Sequence, residues 1–262
     1  MNLFDAVILG TVQGLTEFLP VSSSGHLILA RKILDLELAG SLGFDAVLQF
    51  ATTLAILVYF HRDIGHLIRD TFRFIFGKAI DGHQKILIYA ILIGTIPAGI
   101  IGYFLEDIMD SVFRNSFLVA LMLIVGSIIM FIAEKTARHT QTLTPRSGFV
   151  VGFFQALALI PGMSRSGMTI AGGLFMGLSR GEATRFSFLL AIPILFGSGL
   201  KEVLAVDYSN LVSIEPLIAG SITSFIIGIL TISFLLHFVK HNSLYVFVWY
   251  RIALACLMLL IL

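Results

Sequence analysis

Six stretches of the chain, Phe44 to Phe60, Gln84 to Leu105, Phe117 to Ala133, Phe186 to Leu204, Pro216 to Phe238 and Ser243 to Leu262, run almost without charge. Crossing the hydrocarbon core of a bilayer takes a helix of about 20 mostly apolar residues, in a range of roughly 17 to 25, and each stretch meets that length. Water-facing surface is what the chain lacks: 57% of its 262 residues are apolar and 13% are charged, against about 25% charged in a soluble domain. The sequence specifies an all-α integral membrane protein. Seventeen Lys and Arg against sixteen Asp and Glu leave no polybasic tail for nucleic acid and no acidic arm. The one cysteine, Cys256, offers neither a disulfide framework nor a thiolate metal site. Met1 to Asp5 carry an acid where a signal peptide carries bases, so the N-terminus reads as mature protein.

Two further apolar regions are broken at their centres, one by Leu19-Pro20-Val21-Ser22-Ser23-Ser24-Gly25-His26, the other by Ile160-Pro161-Gly162-Met163-Ser164-Arg165-Ser166-Gly167. Proline ends a helix, and the serines that follow can cap a new one. Each region predicts a half-helix, a break and a second half-helix. Irregular backbone at membrane depth survives only inside protein or beside a wet cavity, which makes these regions re-entrant hairpins. One offset pairs Gly10 with Gly152, Gln13 with Gln155, Ser22 with Ser164, Ser24 with Ser166, Gly25 with Gly167 and Leu48 with Leu190. A second offset aligns Gly94, Ile96, Ile100 and Gly102 with Gly220, Ile222, Ile226 and Gly228. The chain therefore reads as one membrane domain built by duplication, with halves at 1–140 and 146–262. A hairpin and three spans in each half place the second upside down, an inverted-topology repeat. Lys and Arg collect in cytoplasmic loops. They gather on one side, from Arg62, Arg69, Arg73, Lys78 and Lys85 to Arg185 and Lys240, against Arg31, Lys32, Arg114 and Lys201 on the other. Both termini, the first hairpin and an acidic loop with Glu106, Asp107 and Asp110 are then expected outside, with the second hairpin entering from the cytoplasm.

An ionisable group at membrane depth costs about 2.5 to 3.5 kcal/mol on insertion scales and is a functional candidate by default. Glu17 and His26 lie in the first hairpin, Arg165 in the second and Arg251 in the last span. Gln13 and Glu17 share a helical face. At duplicated positions Glu17 meets Leu159, His26 meets Met168 and Ser23 meets Arg165, so a shared scaffold carries an acid and an imidazole in one copy and a guanidinium in the other. Serine-rich helix starts favour phosphate, and the planar fork of Arg165 matches its oxygens. A composite site for a phosphate or diphosphate follows. Ser23 is a candidate nucleophile, His26 a base or acid, and Arg165 the neutralising cation. Glu17 either orients His26 or holds a divalent cation shared with substrate phosphates.

The runs Gln13-Gly14-Leu15-Thr16-Glu17-Phe18-Leu19-Pro20-Val21-Ser22-Ser23-Ser24-Gly25-His26 and Pro161-Gly162-Met163-Ser164-Arg165-Ser166-Gly167-Met168-Thr169 resemble the two signatures of the undecaprenyl-diphosphate phosphatases, the bacitracin-resistance proteins. Arg185 to Pro193 and Gly94 to Gly102 extend the resemblance along essentially the whole chain. It implies removal of the terminal phosphate from a C55 polyprenyl diphosphate to give the carrier lipid of cell-wall synthesis. It also implies dependence on Mg2+ or Ca2+, residence in the bacterial inner membrane and a site opening to the outer face. Glu17, Ser23, His26 and Arg165 fall on the family's catalytic positions, with Gln13, Ser22, Ser24, Ser164, Ser166 and Thr169 around them. With Gln13 where the signature admits Glu or Gln, Glu17 alone supplies a carboxylate for metal. Gln49 is expected near the pocket, although Phe50 and Ala51 follow it where relatives commonly show Leu and Gly. A transporter of the phosphorylated carrier lipid is the competing reading, because inverted repeats broken at the midplane are a transporter plan. Membrane lipids are the other partner, and a homodimer is left open.

The remaining candidates have plainer readings. His61, His66, His83, His139, His237 and His241 lie in loops or at span ends without ligand spacing. Trp249, Tyr250 and Arg251 could line a pocket, but an aromatic interface and a snorkelling or internally paired arginine are the favoured readings, and Gly94, Gly99 and Gly102 suit close helix packing.

Overall fold

A computed structural model describes residues 1–36, 41–113, 115–205 and 214–261; the side chains of 41, 42, 105–113 and 205 are outside that description. The described residues form helices and no strands. In order they are α1 (Leu3–Thr16), α2 (Ser23–Ile33), α3 (Ser41–Tyr59), α4 (His61–Ile75), α5 (Gly82–Phe113), α6 (Ser116–Thr136), α7 (Pro145–Leu157), α8 (Arg165–Phe175), α9 (Arg180–Ala205), α10 (Ile214–His241) and α11 (Tyr245–Ile261).

Four of the six apolar stretches fall within helices, while α3 stops at Tyr59 and α11 begins only at Tyr245; the number able to cross a bilayer is smaller by length. Among the described residues α5, α6, α9 and α10 qualify, and a fifth span appears only if α3 and α4 are taken as one element bent by 77°. α3 gives way at Phe60 to that bend, and α11 has 17 residues, the short end of the range. Two other expectations change. Arg62, Arg69 and Arg73 lie on α4 rather than in a loop, because Ile64, Leu67, Ile68, Phe72 and Ile75 recur with helical spacing and the arginines fall on the opposite face. The backbone of Glu106, Asp107 and Asp110 continues α5 to Phe113, since no Gly or Pro follows Gly102 to end it; their side chains, and Arg114 altogether, lie outside the described residues.

The broken regions form two short pairs, α1 with α2 and α7 with α8. With 14, 11, 13 and 11 residues, none of the four is long enough to cross a bilayer alone. Both pairs begin alike. Asn2 and Asp5 form a capping box on α1, and Thr144 and Ser147 form one on α7, where Pro145 takes the first turn and loses nothing by lacking a donor. Close packing then follows the glycines. A methyl group on Gly10 would collide with the backbone of Gly220, and one on Gly152 with the backbone of Gly94. α1 is thus seated on α10 and α7 on α5, through glycines that the two sequence offsets equate. Beneath the breaks lies a core that includes Phe18, Phe188 and Met168, with Phe18 and Phe188 edge to face at 5.6 Å.

Candidate active site

Ser22 and Ser164, the residues that open α2 and α8, adopt φ of 74° and 71°. No side chain other than glycine's takes that conformation readily, and each instance costs on the order of 1–3 kcal/mol. Two non-glycine residues at equivalent places therefore store strain at the same step of the two breaks. Mutual hydrogen bonds hold it. The Ser22 and Ser24 hydroxyls lie 3.1 Å apart, and those of Ser164 and Ser166 3.3 Å apart. Across the pair, Gly162 N–H donates to Ser24 Oγ at 3.4 Å, and Ser166 Oγ donates to the Leu19 carbonyl at 3.0 Å.

Arg251 fastens both breaks together. It is 0% exposed, and its guanidinium donates to the Pro20 carbonyl of the first break at 3.3 Å and to Gly162 and Met163 of the second at 3.0 and 3.1 Å. Further bonds reach Ser127 Oγ at 3.1 Å and the Leu123 carbonyl at 3.3 Å on α6. Carbonyls released by broken helices need donors when no water is near, and one arginine supplies them. It is an internally paired arginine, one of the placements expected for it, and it binds the scaffold of the site.

Glu17 stands at the centre of the reactive groups. Arg165 Nη2 donates to Glu17 Oε1 at 2.8 Å, while Gln13 Nε2 at 3.1 Å and Ser23 Oγ at 3.0 Å donate to Oε2. Glu17 is 8% exposed and Arg165 14%. The Nε and Nη1 atoms of Arg165 are buried without a hydrogen-bond partner. Buried guanidinium N–H groups with no partner are costly, and the Nε and Nη1 donors, on separate edges of the plane, are available to phosphate oxygens. Thr169 stiffens the base of Arg165 by donating to its carbonyl at 2.8 Å and meeting Ser187 Oγ at 2.5 Å.

His26 is arranged differently from the expectation. Its Nδ1 lies 2.7 Å from the Ser22 carbonyl, so Nδ1 carries the proton, and Nε2 faces the Tyr250 hydroxyl at 2.7 Å. The two rings stack at 5.5 Å and 6°. His26 makes no hydrogen bond to Ser23 or Glu17 among the described contacts; the acceptor for Ser23 is Glu17, and the group that orients His26 is Tyr250. Gln49 lies on α3, where its backbone carbonyl accepts from the Thr52 and Thr53 hydroxyls. Tyr250 and Arg251 were legible as pocket-lining candidates, but their partners here, His26 and the two breaks, were not.

No three His, Cys, Asp or Glu side chains converge among the described residues, so this part of the chain builds no metal cage. Glu17 beside a hydroxyl suits magnesium, which is held through one or two carboxylates together with substrate phosphates and water. Calcium's larger oxygen shell is less well supplied by one carboxylate.

The family model for the bacitracin resistance protein BacA matches residues 6–257. The undecaprenyl-diphosphatase of Thermobifida fusca is 39% identical over 263 residues, covering 99% of this chain and 90% of that protein. Those of Mycobacterium sp. (strain KMS) and Geotalea daltonii are 41% and 42% identical, covering 100% and 99% of this chain and 97% and 98% of their own lengths. With a match spanning nearly its whole length, broken helices included, the chain belongs to the BacA bacitracin-resistance family.

Proposed function

We propose that this chain is an integral-membrane phosphatase that cleaves the terminal phosphate from undecaprenyl diphosphate and returns the monophosphate carrier lipid to cell-wall synthesis. The observation that carries the reading is Arg165, buried, with one nitrogen on Glu17 and two free donors, beside a serine already hydrogen-bonded to that same carboxylate. In this reaction Arg165 Nε and Nη1 hold oxygens of the terminal phosphoryl group. Ser23 Oγ attacks phosphorus as its proton passes to Glu17 Oε2; the anhydride P–O bond breaks and its electron pair leaves on the carrier-lipid monophosphate. Water then attacks the phosphoserine as its proton passes to one Glu17 oxygen, the P–O bond to Ser23 breaks, Ser23 Oγ takes back a proton from Glu17, and inorganic phosphate leaves. His26, as an imidazolium, keeps its Nδ1–H on the Ser22 carbonyl and gives its Nε2 proton to the departing oxygen of the carrier lipid, becoming neutral. A magnesium ion held by Glu17 and the diphosphate would supply neutralisation of phosphate charge.

We further place the protein in the bacterial inner membrane, as two inverted repeats with α1–α2 and α7–α8 entering as re-entrant hairpins from opposite faces and the site opening outward. The equivalent glycine seats of α1 and α7, and the equivalent strained serines, support that arrangement. α3 and α11 then complete six spans. The test is phosphate release from a polyprenyl diphosphate by the purified protein, with and without chelator, in the native chain and in Glu17→Ala, Ser23→Ala and Arg165→Ala. Loss of release in all three variants, with radiolabelled phosphate trapped on serine 23 in the native chain, is the expected result. Undiminished turnover in Ser23→Ala overturns the nucleophile, and undiminished turnover in Arg165→Ala overturns the site.

A further inference from the structure

α4 presents a surface that the phosphatase chemistry leaves unused. It departs from the apolar α3 at 77° and divides by face. Ile64 and Leu67 pack against the core, whereas Ile68, Phe72 and Ile75 are 52%, 59% and 68% exposed and Phe76, just beyond the helix, is 74% exposed. Arg62, Arg69 and Arg73 are exposed beside this strip. The helix's two acids are occupied, Asp63 by Arg185 of α9 and Asp70 by Arg69. What remains outward is an aromatic and aliphatic strip, with the cations of Arg62 and Arg73 on the face beyond it and Arg69 shared through its Nε with Asp70. A continuation of α3 through the bilayer would carry Arg69, Asp70 and Arg73 into hydrocarbon; the bend avoids that. A basic amphipathic helix with this division lies in the plane of the interface, its apolar side in the acyl boundary and its cations at the phosphates.

We propose that α4 lies in the headgroup layer and binds anionic phospholipid, with Ile68, Phe72 and Ile75 inserted and Arg62, Arg69 and Arg73 paired to lipid phosphates. The helix thereby fixes one end of α3 at the membrane surface, and through Asp63 and Arg185 it ties that surface to α9. None of this depends on the chemistry at Glu17.

Trp249 is the chain's one tryptophan, which allows a direct test. The full chain carrying Trp249→Phe and Phe72→Trp is reconstituted in mixed phosphatidylcholine and phosphatidylglycerol vesicles in which either one lipid or the other has brominated chains. Bromine quenches an adjacent tryptophan. The expected result is quenching by both, about twofold stronger with brominated phosphatidylglycerol at equal mole fraction, falling to parity in high salt and in Arg62→Gln, Arg69→Gln, Arg73→Gln. A tryptophan at position 68 in place of isoleucine is the second reporter, in case the first variant does not fold. An unquenched tryptophan, whether water or a second copy of the chain covers the strip, overturns the proposal. So does equal quenching by the two brominated lipids while the arginines are intact.

Discussion

Glu17 receives Arg165, Gln13 and Ser23 on two oxygens, and that crowding makes the identity of each donor matter more than its charge. Arg165→Lys keeps the charge, but one ammonium cannot stay on Glu17 and also present two further fixed donors to phosphate. Its kcat for phosphate release is expected to fall about a hundredfold, as for loss of one preorganised donor to a transferring group. Steady-state kinetics in detergent check this, and a rate within a factor of about two of native would contradict the two-donor role. Tyr250→Phe keeps the ring stacked on His26 and removes only the hydroxyl at Nε2. If the hydroxyl holds His26 for proton transfer, losing a hydrogen bond worth about 0.5–1.5 kcal/mol should drop kcat up to about tenfold with KM unchanged. A shifted midpoint with unchanged kcat would make the contact merely structural. Glu17 and Arg165 were legible in the sequence because duplication sets each against an apolar or unlike partner in the other copy. The Ser23–Glu17 and His26–Tyr250 pairings were not, since chain spacing puts His26 nearer Ser23 while the turn at Ser22 points its ring the other way.

The helices are positioned by contacts that tolerate little. α1 on α10 and α7 on α5 meet glycine to glycine, so Gly10→Ala or Gly152→Ala must push helix backbones apart; overpacking of this kind costs about 1–3 kcal/mol. Gly99 has only Ile194 within reach, at 3.9 Å, and Gly99→Ala should be neutral or stabilising, because alanine is the better helix former. Thermal unfolding of the three variants in one detergent separates the cases, and equal midpoints would mean that the glycines do not set the packing. The periodicity of Gly94 and Gly220 was visible in the sequence as a repeat, but which helix each would seat could not be read, because the partners lie in the opposite half. The amphipathic face of α4 was also present in the sequence, at Ile64, Leu67, Ile68, Phe72 and Ile75. Read by its charges alone, that segment passes for a loop.

At the scale of the whole molecule, a duplicated scaffold works as one site only if its halves are held in register, and Arg251 does this by donating to carbonyls of both breaks. Arg251→Met preserves much of the volume but leaves those carbonyls buried and unpaired, at roughly 1–3 kcal/mol for each. Loss of phosphate release together with a lowered thermal midpoint is expected, where a residue serving chemistry alone would lower only the rate. In the proposed inverted repeat the halves face opposite ways. With α3 crossing between them, Lys32 in the last turn of α2 and Lys78 after α4, both exposed, are then expected on opposite sides of the membrane. In a Cys256→Ser background, Lys32→Cys should react with a membrane-impermeant maleimide in intact spheroplasts and Lys78→Cys only after lysis. Labelling of both in intact spheroplasts would put α3 wholly on one face, and the inverted repeat with it would fail. Reversed labelling would keep the repeat and turn the molecule over, placing the Glu17–Arg165 pair within reach of the cytoplasmic leaflet instead of the outer one.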